Sequence, residues 1–231
     1  MIKLAREHKR TLMVGHTYEY SPPVKKIKEI IDKGELGELY YIDSVRLNLG
    51  LFQSDFNVIW DLAPHDISII LFLLKQKPIS VSAQGQSSIP GHLEDVAYLT
   101  IRFDGGALAH CHVSWLSPCK IRRVTIIGKQ KMILWDDLMA EDKVKIYDKG
   151  ISLTYQQVSK LQILYRTGDM YSPKVEGVEP LREECQHFID CIRENKTPRT
   201  SGENGLAVVK ILAAAQKSLA RHGREVKIDY D

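Results

Sequence analysis

Residues 94–115 read EDVAYLTIRFDGGALAHCHVSW, and this stretch decides the fold. Two runs of period-two alternation, 94–103 and 106–115, flank Asp104-Gly105-Gly106. A pair of glycines after an aspartate supplies the positive φ angles of a tight hairpin, so the two runs are antiparallel neighbours. The alternation begins at Pro78 and continues on both sides of this hairpin. Strands are predicted over 79–86, 121–127, 131–136 and 143–148, with a second hairpin turn at Gly128-Lys129. Residues 151–180 show no clean period and are read as an extended crossing segment.

Upstream of the strands the period is helical. Ser21-Pro22-Pro23 opens a helix, with serine as N-cap and proline in the first turn. Val24, Ile27, Ile30 and Ile31 form its apolar stripe, and Gly34 supplies a left-handed cap. A strand follows at 38–48. It turns Ile42, Ser44, Arg46 and Asn48 to one side and Tyr41, Asp43, Val45 and Leu47 to the other. Asp61 to Leu74 then reads as a helix striped by Ile67, Ile70, Leu71 and Leu74. Two helices close the chain, the first striped by Leu181, Cys185, Phe188, Ile189 and Ile192 and the second running from about Asn204 to Arg221. A short strand, Val226-Lys227-Ile228, comes last. At the other end, residues 1–9 read as the end of a helix and Thr11-Leu12-Met13-Val14 as a short buried strand.

The bulk properties exclude several classes. A net charge of +3 spread over 231 residues makes no basic patch, so no nucleic-acid partner is expected. No apolar run reaches the length of a membrane span, and residues 1–8 are charged where a signal peptide is apolar, so no membrane association is expected. Four cysteines without a Cys-x-x-Cys pair suit a reduced, cytoplasmic setting.

Candidate chemistry centres on Trp60-Asp61-Leu62-Ala63-Pro64-His65-Asp66. In a helix Asp61 and His65 share a face, and a carboxylate beside an imidazole stabilises the imidazolium and fixes its tautomer. That arrangement suits a general base acting on a hydroxyl. Pro64 is tolerated in a first turn, so the helix is expected to begin near Asp61. Spacing alone also permits a capping aspartate and a surface histidine. His110 and His112 point the same way from one strand and suit a zinc site, but no third ligand is marked by spacing, and no metal is expected. No Gly-x-Gly-x-x-Gly follows a strand anywhere in the 231 residues.

Taken in order, these segments resemble the Gfo/Idh/MocA family of oxidoreductases. The resemblance runs from Leu12-Met13-Val14-Gly15-His16, through Tyr20-Ser21-Pro22-Pro23-Val24, Gly34-Glu35-Leu36-Gly37 and Trp60–Ile67, to Val226-Lys227-Ile228. It implies an α+β fold: an open-faced, mainly antiparallel mixed sheet with helices packed on one face, preceded by the last helix and strand of a Rossmann domain. Residues 1–20 would be the remnant of that NAD(P)-binding domain, and residues 21–231 the substrate-binding and oligomerisation domain. It implies a sugar or sugar-nucleotide dehydrogenase lineage using NAD or NADP, with His65 and Asp61 as the catalytic pair. The family's other catalytic residue, the lysine of a Glu-Lys-Pro motif, has no counterpart here, so the chain alone is expected to be inactive. Tyr20, Arg46, Asn48 and Trp60 are expected at the substrate, and His16 and Tyr18 at the cofactor. A homo-oligomer through the open sheet face is expected. The competing reading is a non-catalytic dimerisation or sugar-binding module.

Overall fold

The computed structural model describes residues 1–156 and 160–230; the side chains of residues 152–162 are not described. Helix α1 (Ile2–Glu7) buries none of its residues. A single 3-10 turn, Thr17–Tyr20, leads into α2 (Pro22–Asp32). Strand β1 (Leu39–Leu47) and helix α3 (Val58–Leu74) follow. Then come β2 (Pro78–Gln86), β3 (Val96–Phe103), β4 (Leu108–Ser114), β5 (Ile121–Gly128), β6 (Met132–Asp136), β7 (Val144–Gln156) and β8 (Lys160–Tyr171). Helices α4 (Pro180–Glu194) and α5 (Gly202–Leu219) and strand β9 (Val226–Lys227) close the chain.

Among the described residues the strands form one nine-stranded sheet, ordered β8-β7-β6-β5-β1-β4-β3-β2-β9. The pair β1–β4 is parallel and the other neighbours are antiparallel, so the mixed, mainly antiparallel sheet is as expected. The Asp104-Gly105-Gly106 turn joins β3 to β4, with Gly106 at φ +86. One face is buried beneath helices: α3 packs on β1 and β4, and α5 on β2. That face carries Ile42, Ala97, Leu99, Ile101, Ala109, Cys111, Val113 and Ile126, all fully buried. Burying such side chains contributes roughly 1.5–3 kcal/mol for each large aliphatic one.

Several sequence expectations are corrected. Helix α3 begins three residues earlier than Asp61, because the Asn57 side chain caps it by accepting from the Trp60 N–H. Pro64 therefore lies inside the helix rather than in its first turn, where it cannot donate to the Trp60 carbonyl. The expected crossing segment at 151–180 contains most of the hairpin β7–β8, whose register runs from Ile146↔Tyr171 to Gln156↔Lys160; residues 157–159 lie outside the described residues. Thr11–Val14 makes no buried strand; it is half-buried and held by one bridge, Met13↔Ser201, and by Val14 N–H to the Thr200 carbonyl at 2.8 Å.

The stripe on α4 faces outward. Leu181 is 54%, Ile189 43% and Ile192 53% exposed, while the buried residues of the helix are Glu184 and Cys191. α4 packs on the 3-10 turn instead of on the sheet.

Candidate active site

The alternation of β1 sends Ser44 and Arg46 under α3, onto the buried face. A guanidinium there costs several kcal/mol unless it is paired. Its partner is Asp66, the residue after His65. Arg46 Nε donates to Asp66 Oδ2 at 2.8 Å and Nη2 to Oδ1 at 3.1 Å, and Ser44 Oγ donates to Oδ1 at 2.7 Å. The third Arg46 nitrogen, Nη1, donates to the Tyr18 hydroxyl at 3.1 Å. Arg46 is 5% and Asp66 2% exposed. Burial acts to lower the Arg46 pKa, and Asp66 overrides it, so the net direction is upward and the guanidinium stays charged.

His65 sits beside this network. Tyr18 meets its ring edge-on, with centroids 5.5 Å apart and planes at 66°, and Trp135 of β6 meets Tyr18 at 6.3 Å. Burial, then the positive charge of Arg46, hold the His65 pKa below the ordinary histidine value; Asp66 and Asp61 oppose them, and Arg122 adds to the lowering. The imidazole is thus neutral at pH 7, the form in which it accepts a proton.

Asp61 does not pair with His65 as expected. Its Oδ2 accepts the indole N–H of Trp115 at 2.7 Å, and among the described residues no hydrogen bond joins it to the imidazole. The carboxylate acts on His65 only through space, and the net shift is opposite to the stabilised imidazolium that the spacing predicts.

Residues 24–134 match the family model described as the GFO/IDH/MocA C-terminal domain. These residues, just under half of the chain, are similar to the C-terminal domain of the Gfo/Idh/MocA oxidoreductases. It is 26% identical over 243 residues to the oxidoreductase YrbE of Bacillus subtilis (strain 168), covering 97% of this chain and 65% of that protein. It is 26% identical over 227 residues to the scyllo-inositol 2-dehydrogenase (NAD(+)) of the same organism, covering 94% of this chain and 62% of that protein. The chain thus spans less than two thirds of the length of these relatives. Among solved structures, the UDP-N-acetylglucosamine 3-dehydrogenase GnnA from Acidithiobacillus ferrooxidans superposes with a TM-score of 0.75 at 20% identity, over 96% of this chain and 65% of that one; this likeness concerns the fold.

Of the residues expected at the site, the fold gathers His65, Arg46, Tyr18 and His16. His16 caps the 3-10 turn and is only 7% exposed; burial, then the nearby His65, lower its pKa. Asn48 lies with Trp115 against Gly50. The Cβ that Gly50 lacks would stand 2.9 Å from Trp115 Cδ1 and 3.1 Å from Asn48 Nδ2.

Two expectations fail on geometry. Tyr20 is 1% exposed, its hydroxyl bonded to Thr200 Oγ1 at 3.0 Å and its ring beneath Arg199, so it belongs to the interior. Trp60 points to α5, donating to Gln216 Oε1 at 3.2 Å. Arg46 is corrected too: its guanidinium is engaged by Asp66 and Tyr18 rather than presented to a substrate. Asp66, Ser44, Trp115 and Trp135 escaped the sequence reading, and the one signal for Asp66 was its place next to His65.

His110 and His112 lie on the open face, where Tyr98 stacks on His112 at 4.3 Å and His110 Nδ1 is 3.5 Å from Asp43 Oδ1. Among the described residues no group of three or more His, Cys, Asp or Glu is placed to hold a metal ion. No described helix is long and apolar enough to cross a membrane.

Proposed function

We propose that this chain forms the proton-transfer side of an NAD(P)-dependent sugar or sugar-nucleotide dehydrogenase, with His65 as the base that takes the proton from a secondary hydroxyl. One observation carries this reading: His65 is held neutral by burial and by Arg46, and is braced by Tyr18. A neutral imidazole of fixed orientation removes the hydroxyl proton as the carbon gives up hydride. Arg46 and Asp66 act through position, locking β1 to α3 beneath the base. Asp61 holds the indole of the buried Trp115. The relatives named as inositol, scyllo-inositol and UDP-N-acetylglucosamine dehydrogenases support a sugar-like hydroxyl as substrate.

The hydride acceptor would be the nicotinamide cofactor, which supplies the redox chemistry when bound. The residues fit one end of it. Tyr18 is half-buried beside His65 with its hydroxyl held by Arg46, and would hold the nicotinamide end. His16 does not fit as a contact, since its Nε2 is sealed from solvent. No glycine-rich loop for the pyrophosphate occurs in these 231 residues. A nucleotide-binding domain is therefore part of the proposal, with residues 1–20 as its remnant and 21–231 as the substrate domain. The exposed stripe Leu181, Ile189 and Ile192 supplies apolar surface for such a domain to cover. The open sheet face, with Tyr41 39% and Tyr98 46% exposed, is proposed to pair with a second copy.

The test is nicotinamide reduction by a panel of polyols, sugars and sugar nucleotides, with a nucleotide-binding domain present. Oxidation of at least one supports the reading, and oxidation of none contradicts it.

A further inference from the structure

α4 buries a carboxylate and exposes its apolar stripe, which reverses the usual amphipathic arrangement. The carboxylate is Glu184, 4% exposed. It meets a second one, Glu19 of the 3-10 turn, 1% exposed. Thr17 Oγ1 donates to Glu184 Oε2 at 2.6 Å, and Asn204 Nδ2 reaches Glu19 Oε1 at 3.4 Å. Among the described residues Glu184 Oε1 has no hydrogen-bond partner, and it lies 3.9 Å from where a Cβ on Gly15 would stand. Among the described residues one cation faces the pair: Arg199, whose Nη1 donates to the Glu19 carbonyl at 2.8 Å and whose guanidinium covers Tyr20 and Phe72.

The other ionisable groups nearby do not balance the charge. Lys25 of α2 is bonded to Glu183 of α4. His187 of α4 accepts the Arg199 backbone N–H, and burial, then Arg199, lower its pKa. His16 is depressed by burial, then by His65. Two buried carboxylates against one guanidinium leave an uncompensated negative charge, which the interior penalises heavily. Binding one proton removes it.

We propose that Glu19 and Glu184 are positioning residues that hold one proton between them at neutral pH, and so clamp the 3-10 turn that sets Tyr18 and His16 against His65. The turn is four residues long, and Tyr18 is the immediate neighbour of Glu19. Losing the proton would leave two like charges between the turn and α4 and drive them apart. Burial raises the Glu19 pKa to about 7, with Asn204 and Arg199 opposing and Glu184 adding to the rise, which makes Glu19 the site where the proton resides. The importance of the clamp rests on the reading of His65 as the base, but the clamp itself is observable without catalysis.

The experiment is carboxyl and aromatic NMR of the wild-type chain across pH 5–9, repeated on Glu19→Gln and Glu184→Gln. In the wild type the Glu19 carboxyl should titrate near 7, and the Tyr18 ring should move with the same midpoint. In Glu19→Gln, a neutral isostere, the Tyr18 ring should keep its low-pH position throughout. Two outcomes overturn the proposal: Glu19 titrating in the ordinary glutamate range, or the movement of the Tyr18 ring near pH 7 surviving in Glu19→Gln. The wild-type titration decides the matter even where a variant fails to fold. None of these signals requires turnover, so a failed hydride-transfer assay would refute the functional reading and leave this one standing.

Discussion

Arg46 and Asp66 form a buried ion pair, 2.8 Å from Nε to Oδ2, that ties the central strand β1 to helix α3 one residue past His65. Breaking such a pair from one side leaves an uncompensated charge and costs about 3–5 kcal/mol. Arg46→Met and Asp66→Asn should each lower the melting temperature by roughly 10 °C, at about 2–4 °C per kcal/mol for a chain of this size. The pair is also asymmetric toward His65. Arg46→Met should raise the His65 pKa and Asp66→Asn should lower it further, because the two charges push in opposite directions. A histidine titration followed by NMR checks this, and shifts of the same sign would contradict it.

Asp61 is predicted to matter through Trp115. Asp61→Ala leaves the indole N–H of a 1% exposed tryptophan without its acceptor, at a cost of about 1–3 kcal/mol. Trp115→Phe, which removes the donor as well, should cost less when combined with Asp61→Ala than the two single changes summed. A double-mutant cycle in denaturant reads the coupling. Additive losses would show that the bond contributes little.

Where a buried face imposes a period, the elements are legible in the sequence. The strands from Pro78 to Asp136, the Asp104-Gly105-Gly106 hairpin and the inward face of β1 are all consequences of one-sided burial. Strand β8 lay beyond that logic. It is an edge strand away from the helix layer, with Ile163 49%, Tyr165 81% and Met170 51% exposed, so nothing forces its side chains to alternate. On α4 the period was legible but its direction was not, since periodicity marks a stripe without saying what covers it. Pro64 points to a first turn at Asp61, whereas the start of α3 is set by the Asn57 side chain accepting from Trp60 N–H, a bond that leaves no period in the sequence. At the site, Asp61–His65 spacing was visible. Arg46–Asp66 was not, because the two residues are 20 positions apart and meet only when β1 slides under α3.

Stability should depend on pH at both ends. Burial lowers the pKa of His65 and of His16, so the folded chain binds those protons more weakly than the unfolded one and loses stability as pH falls through the histidine range. Glu19 is raised from 4.5 to about 7, so its contribution is complete below its unfolded value and is lost as pH rises through about 7. Chemical denaturation at a series of pH values should therefore give a maximum on the mildly acidic side of neutral. A plateau from pH 5 to 8 would contradict both assignments.

The isolated 231 residues should bind NADH more weakly than micromolar, since they contain no loop to cradle a pyrophosphate. A fluorescence titration showing micromolar affinity would overturn that expectation.

The central claim is that His65 takes the hydroxyl proton. Its most direct test is turnover of His65→Ala in a form that includes a nucleotide-binding domain, measured alongside cofactor affinity. The account predicts a fall in turnover of ~10²-fold or more with cofactor binding intact. Turnover close to wild type would contradict it.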